Sequence, residues 1–290
     1  MFSGSLVALV TPFRNGEVDY ATIERLVDWH VEQGTDGLVP VGSTGESPTV
    51  TVAEHEKIIE TIVRRAAKRI PVIAGTGANA TAEAIELTKF AKDIGADASL
   101  QVCPYYNKPT QEGLFRHFAA IAEAVDLPQV LYNIPGRTAV TMTPETIARL
   151  AELPQIVAIK EATGSMDQTS EILARCNLVV LSGDDSLTLP LMALGAKGVI
   201  SVVANVVPRD VKRLTDAASC GNLEAAQAAH RKLFPLCRAM FIETNPIPVK
   251  TAMKWAGLVP SDEKRLPLTD LAAGSAAALR KAMEAYSLVK

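Results

Sequence analysis

Three stretches, EQGTDGLVPVG (residues 32–42), DIGADASLQVC (93–103) and ALGAKGVISVV (193–203), follow one grammar. In each, a helical pattern ends on a glycine, two or three small or polar residues follow, and an apolar run of strand length begins. A glycine just past a helix can adopt positive φ and let the backbone satisfy the last helical carbonyls, so it marks a helix C-terminus. Helix, glycine, short link, strand is the αβ half of a βα repeat, and it recurs along the chain.

Working outward, apolar runs of strand length stand at 5–10 (SLVALV), 37–42 (GLVPVG), 71–75 (PVIAG), 98–103 (ASLQVC), 129–134 (QVLYNI), 156–160 (IVAIK), 178–182 (LVVLS) and 198–203 (GVISVV). Runs such as IVAIK lack polar alternation, which suits strands of a parallel sheet covered on both faces. Amphipathic helical patterns lie between them, as in VAEHEKIIETIVRRAAKR (52–69) and TAEAIELTKFAKDIG (81–95). The expected class is α/β, a (β/α)8 TIM barrel over residues 1–224, with a C-terminal helical extension over 225–290. ETNPIPVK (243–250) reads as a proline-stiffened loop inside that extension.

Composition narrows the function. With 29 basic against 32 acidic residues, the net charge of −3 offers no basic field for nucleic acid or anionic membrane. Four cysteines (Cys103, Cys176, Cys220, Cys237) lack CxxC pairing, which suits free thiols in a reducing compartment. The N-terminus has no basic segment leading a long apolar run, so a cytoplasmic protein is expected. His30, His55, His117 and His230 show no ligand spacing with carboxylates or thiols, so no metal is expected. A small-molecule task fits best.

In such a barrel, function gathers at the C-terminal ends of the strands. There the chain places GSTGES (42–47), PYYNKP (104–109), YNIPGRT (132–138), Lys160 and SGDD (182–185). A lysine at its ordinary pKa of about 10.4 is less than about 0.1% neutral at pH 7. Burial disfavours the charged form and yields a nucleophilic amine, able to form a Schiff base with a ketone. The competing reading is a lysine whose head meets an acid such as Glu161. Ser43, Thr44 and the amides around Gly45 could bind a carboxylate, or could simply make a turn. Tyr132, Tyr105 and Tyr106 offer phenols for proton transfer, or for backbone hydrogen bonds. Arg137 carries a fork suited to a carboxylate, or is a surface loop residue.

GSTGES, PYYNKP, YNIPGRT, IKEATG, SGDD, GVISV and NPIPVK, in this order and spacing, resemble the dihydrodipicolinate synthase family of pyruvate-dependent class I aldolases. The resemblance spans essentially the whole chain. It implies that pyruvate condenses with L-aspartate 4-semialdehyde to give 4-hydroxy-tetrahydrodipicolinate, in lysine (diaminopimelate) biosynthesis, without cofactor or metal. By that likeness Lys160 forms the Schiff base, and Thr44, Tyr132 and Tyr106 form a proton relay, Tyr106 reaching in from a neighbouring subunit. Ser43 and Thr44 hold the pyruvate carboxylate, Arg137 receives that of the second substrate, and Gly183 and Ile200 line the pyruvate pocket. A homotetramer built from two tight dimers is implied. So is a lysine effector site at Ser47, His55, Asn79, Glu83 and Tyr105, although Pro48 and Val52 depart from residues common in lysine-sensitive members. GANATAEA (77–84) can instead be read as a helix start, with Asn79 or Thr81 as its cap and Glu83 in the first turn.

One feature points elsewhere. Ser43-Thr44 stands where synthases often carry two threonines, and GSTGE also occurs in the N-acetylneuraminate lyase branch; that branch and the 2-keto-3-deoxy sugar acid aldolases are the alternatives. The branch with sialic-acid activity lacks an arginine matching Arg137, as well as YYNKP and NPIPVK. A nicotinamide-dependent oxidoreductase is suggested by VIAGTGANA (72–80), with Gly75-x-Gly77-x-x-Ala80. The acid that should follow the next strand is missing there, because Asp97 precedes ASLQVC. A non-catalytic scaffold would be expected to have lost the lysine–tyrosine constellation, which is intact.

Overall fold

The computed structural model describes residues 2–289, and in it eight parallel strands close into a barrel. In chain order the strands are β1 (Gly4–Ala8), the hairpin pair β2 (Phe13–Arg14) and β3 (Glu17–Val18), β4 (Gly37–Val39), β5 (Ile73–Gly75), β6 (Ala98–Val102), β7 (Gln129–Asn133), β8 (Ile156–Glu161), β9 (Val179–Ser182) and β10 (Gly198–Ser201). The barrel runs β4-β1-β10-β9-β8-β7-β6-β5, and a parallel bridge between Leu38 and Val72 closes the ring. The first strand of the chain therefore lies against the last, with Gly4 opposite Gly198 and Leu6 opposite Ile200.

The glycines of the repeated grammar do what the sequence predicts. Gly34, Gly95 and Gly195 follow helices with φ of +77°, +87° and +124°, and their amides return to carbonyls of the last helical turn. Strand alternation then sorts the side chains. Leu6, Val39, Ile73, Leu100, Val130 and Ile200 fill the barrel interior. Val7, Leu38, Leu131 and Ile159 face outward onto helices.

Strands β1, β4, β6, β7 and β10 stop short of their expected C-terminal ends, whereas β5 and β9 end where expected and β8 runs one residue further, to Glu161. After β4 the backbone leaves the ladder at Val41, whose φ is +49°. After β10 the Asp185 carboxylate accepts from the Val202 and Val203 amides at 2.9 and 3.1 Å, drawing the chain into a 3-10 turn, Val203–Asn205. The β2–β3 hairpin lies outside the expected strand runs, yet its signal stands in the sequence. Asn15-Gly16 is the pair that favours a two-residue turn with both φ positive, and here they are +55° and +85°. The expected loop over 243–250 also needs correcting, because Ile247–Trp255 is helical. Pro248 lies in its first turn, where a missing N–H breaks no helical bond.

Beyond β10 there is no further strand among the described residues. The helices Leu223–Ala239, Ile247–Trp255 and Ala273–Ala285 bury Leu236, Met253, Leu279 and Met283 in the core that covers the β1 side of the barrel. A buried ion pair fastens this region to the barrel mouth. Lys250 Nζ lies 2.6 Å from Glu46 Oε1, both side chains being at most 1% exposed. The ammonium also donates to the Thr11 carbonyl at 2.9 Å, and the second Glu46 oxygen accepts the Arg265 amide at 3.1 Å. Among the described residues no helix is long and apolar enough to cross a membrane.

Two predictions concern stability. Removing one partner of a buried pair leaves the other charge uncompensated, at a cost of about 3–5 kcal/mol. Lys250→Met should lower the urea unfolding free energy by that order, and adding Glu46→Leu should recover most of it. Burial also holds His30 neutral, its pKa falling from 6.5 to about 3, and that of His117 to about 4. A histidine with a depressed folded pKa binds its proton more readily when unfolded, so stability is full above about pH 6.5 and lost as pH falls below it. At pH 5 each should have removed about 2 kcal/mol relative to pH 8. Urea titrations at the two pH values should show this loss, and His30→Asn should reduce it by about 2 kcal/mol. An undiminished pH dependence in that variant would count against His30.

Candidate active site

The site begins with the two-residue period of β8. Ala158 and Lys160 point into the barrel, while Ile159 and Glu161 point out. The neighbouring acid is thus on the wrong face to neutralise the lysine. Glu161 instead accepts from the Thr163 amide at 2.8 Å, and Asn133 and Gln168 donate to its other oxygen at 3.4 Å. Burial pushes its pKa up.

Lys160 pairs across the sheet with Tyr132 on one side and Leu181 on the other. Its ammonium lies over the Tyr132 ring, 4.2 Å from the centroid. The side chain is only 5% exposed. Burial is the main cause of its lowered pKa, about 8; Asp185 and Asp184 act upward against it, and Arg137 acts downward. Burial also raises the Tyr132 phenol to about 12, against the positive charge of Arg137 and a hydrogen bond shared with Ser43. At neutral pH the pair is a lysine that surrenders its proton readily beside a phenol that keeps its own.

Above them opens a cavity of about 290 Å³ lined by Ser43, Tyr132 and Arg137, and on its far wall by Asn245, Pro246 and Leu268. The loop after β4 carries Ser43 and the buried Thr44. This loop is fixed from three sides: Thr11 donates to the Gly45 carbonyl at 2.7 Å, Lys250 pairs with Glu46, and Asn245 Nδ2 donates to Thr44 Oγ1 at 2.9 Å. Arg137 sits on the short Pro135–Thr138 helix after β7 and donates to the Asn245 carbonyl at 3.0 Å, which holds the guanidinium at the mouth. Gly183 follows β9, and its amide donates to the Glu161 carbonyl at 2.7 Å. A Cβ there would stand 2.5 Å from that of Ala162, so glycine permits this close approach. Ile200 is fully buried in the interior layer that also contains Tyr132.

The structure therefore brings Lys160, Tyr132, Ser43, Thr44 and Arg137 to one end of the barrel, with Gly183 and Ile200 on the adjoining strands. Tyr106 is not among them. It is 91% exposed with φ of +74°, on a loop where its neighbour Tyr105 lines the cavity instead. Ser47 lines the same cavity. Asn79 donates to the Tyr105 carbonyl at 3.2 Å, and the exposed Glu83 acts electrostatically on the Tyr105 phenol. His55 lies behind, donating from Nε2 to the Gly75 carbonyl at 2.7 Å. Neither Asn79 nor Thr81 caps the Thr81–Asp93 helix, contrary to the simpler reading of GANATAEA: Ala80 is at the cap, and Thr81 bonds His117 at 2.9 Å. Glu83 does lie in the first turn.

Sequence reasoning assigned no role to Glu46, Asp184, Asp185, Asn245 or Lys250. Each lies within a quoted motif, but their partners are distant in the chain: Lys250 meets Glu46 across 204 residues and Asn245 meets Thr44 across 201.

Known proteins resemble the chain along nearly its whole length. The profile of the dihydrodipicolinate synthetase family matches residues 1–286. The chain is 57% identical over 291 residues to the 4-hydroxy-tetrahydrodipicolinate synthase of Pelobacter propionicus, covering 100% of both chains. It superposes with a TM-score of 0.97 and 49% identity, over 100% of both chains, on the chloride-inhibited dihydrodipicolinate synthase of Acinetobacter baumannii complexed with pyruvate. It superposes with a TM-score of 0.96 and 44% identity, over 99% of both chains, on the enzyme of Cyanidioschyzon merolae with lysine bound. With its barrel, its buried lysine and its matching length, the chain belongs to the dihydrodipicolinate synthetase family.

Proposed function

We propose that the protein condenses pyruvate with L-aspartate 4-semialdehyde to form 4-hydroxy-tetrahydrodipicolinate, the reaction for which its full-length relatives are named. The observation that carries this reading is Lys160, buried inside the barrel with a pKa lowered to about 8 and with its sequence neighbour Glu161 on the opposite face.

The neutral amine attacks the ketone of pyruvate, and the carbinolamine loses water to give an imine. Tyr132 and Thr44 pass protons during that collapse, with Tyr106 completing the relay from a neighbouring subunit. Its exposure on its own chain suits such a role in trans. Ser43 and Thr44 hold the pyruvate carboxylate, while Gly183 and Ile200 shape the pocket around the methyl group. Loss of a methyl proton gives an enamine, which forms the carbon–carbon bond to the aldehyde. Arg137, at the mouth, holds the carboxylate of that second substrate. The substrate's own amine then displaces Lys160 from the imine carbon, closing the ring and returning the free lysine. One water is lost in all, and no metal or organic cofactor takes part.

In this reading residues 1–224 form the catalytic barrel and 225–290 a helical region completing its mouth, in a cytoplasmic homotetramer of two tight dimers. Lysine is a feedback effector bound around Tyr105, with Ser47, Asn79, Glu83 and His55. A lysine-bound relative and the shared cavity wall of Ser47, Tyr105 and Tyr132 support this.

Two experiments test the proposal. A coupled assay with pyruvate, aspartate 4-semialdehyde, the following reductase and NADPH should consume NADPH with the wild type and not with Lys160→Ala. Borohydride trapping of the pyruvate imine should rise with pH and level off above about 8, because only the neutral amine attacks. Turnover by folded Lys160→Ala, or silence from folded wild type, would overturn the reading. For the effector, isothermal titration with lysine should give heat that Glu83→Ala abolishes; no heat in the wild type would rule the site out.

A further inference from the structure

Asn245 joins two parts of the site through two different groups. Its side-chain Nδ2 donates to Thr44 Oγ1 at 2.9 Å, and its main-chain carbonyl accepts from Arg137 Nη2 at 3.0 Å. The residue is 4% exposed and borders the cavity. Its remaining polar atom, Oδ1, is buried without a hydrogen-bond partner among the described residues. A buried carbonyl oxygen left unpaired is destabilising, so packing alone does not account for an amide here.

A hydroxyl can donate one proton and accept at its lone pairs. With Nδ2 donating to it, Thr44 is an acceptor on the Asn245 side, and its own proton is directed elsewhere. We propose that Asn245 is a positioning residue: its amide sets the direction in which Thr44 gives its proton, while its backbone separately seats Arg137. The proposal rests on the relay role assigned to Thr44 above. It gives the C-terminal region a share in the chemistry, since Asn245 lies more than forty residues beyond β10.

The two contacts respond differently to substitution, and this makes the idea testable. Any side chain at 245 keeps the carbonyl that holds Arg137; only asparagine's amide supplies the bond to Thr44. Asn245→Ala should therefore lower kcat about 10- to 100-fold while leaving the KM for aspartate 4-semialdehyde within about twofold. Thermal unfolding should change little, because loss of the bond to Thr44 is offset by removal of the unpaired oxygen. Asn245→Asp is nearly isosteric but offers only acceptors, so it would turn the Thr44 proton toward residue 245, and it should not rescue turnover.

The deciding measurement is a double-mutant cycle with Thr44→Val, read both as kcat and as the rate of borohydride-trapped imine formed from pyruvate. If Asn245 acts through Thr44, Asn245→Ala costs nothing further in the Thr44→Val background. The full loss appearing in both backgrounds, a KM rising in step with falling kcat, or unchanged trapping and turnover in Asn245→Ala would each overturn the proposal. Wild-type trapping of pyruvate without turnover of the semialdehyde would count against the assigned reaction instead, and the trapping arm would still decide the role of Asn245.

Discussion

An ammonium ion is expensive to keep in an apolar interior, and β8 places one there. The arrangement depends on the alternation that sends Lys160 inward and Glu161 outward. Had the neighbouring acid shared the inner face, a close ion pair would have held the proton on the amine. Instead Asp185 and Asp184 act on the lysine only through their fields, and Asp185 is itself occupied by Ser201 and the backbone after β10. Burial outweighs these opposing charges, and the proton becomes easy to lose.

The same economy of charge governs the wall opposite. Glu46 and Lys250 satisfy one another at the cavity edge, so this second buried lysine, also lowered to about 8 by burial, is committed to a carboxylate and a carbonyl. Two buried lysines with similarly lowered pKa thus differ in availability. Lys250 is tied by hydrogen bonds, while Lys160 rests against the face of a tyrosine ring. Geometry distinguishes the free amine from the structural one where proton affinity does not.

The barrel was legible because its signals are local. Glycines at helix ends, unalternating apolar runs and their spacing depend on neighbours a few residues away. Lys160, Tyr132 and Arg137 were legible as unusual residues at strand ends, although each had a plain competing reading that the sequence alone left open. Strand ends were less legible, because Asp185 decides where β10 stops from sixteen residues earlier. The roles of Asn245 and Lys250 were hidden for the same reason at greater range, and the prolines flanking them suggested a loop where a helix begins. The Asn15-Gly16 turn, by contrast, is written plainly in the sequence as a local signal.

The pairing of β1 with β10 joins residue 4 to residue 198, and the mouth is finished only by residues beyond that. A chain emerging from the ribosome can form successive βα units as they arrive, but its first strand must wait for the last before the ring can shut. Contacts of such long range make for slow folding and leave strand edges open in the interval. Thr44 acquires its amide partner later still, once residue 245 has been made. A chain ending soon after the barrel would lack both the contacts that set the loop above the lysine and the helices that cover the β1 side of the core.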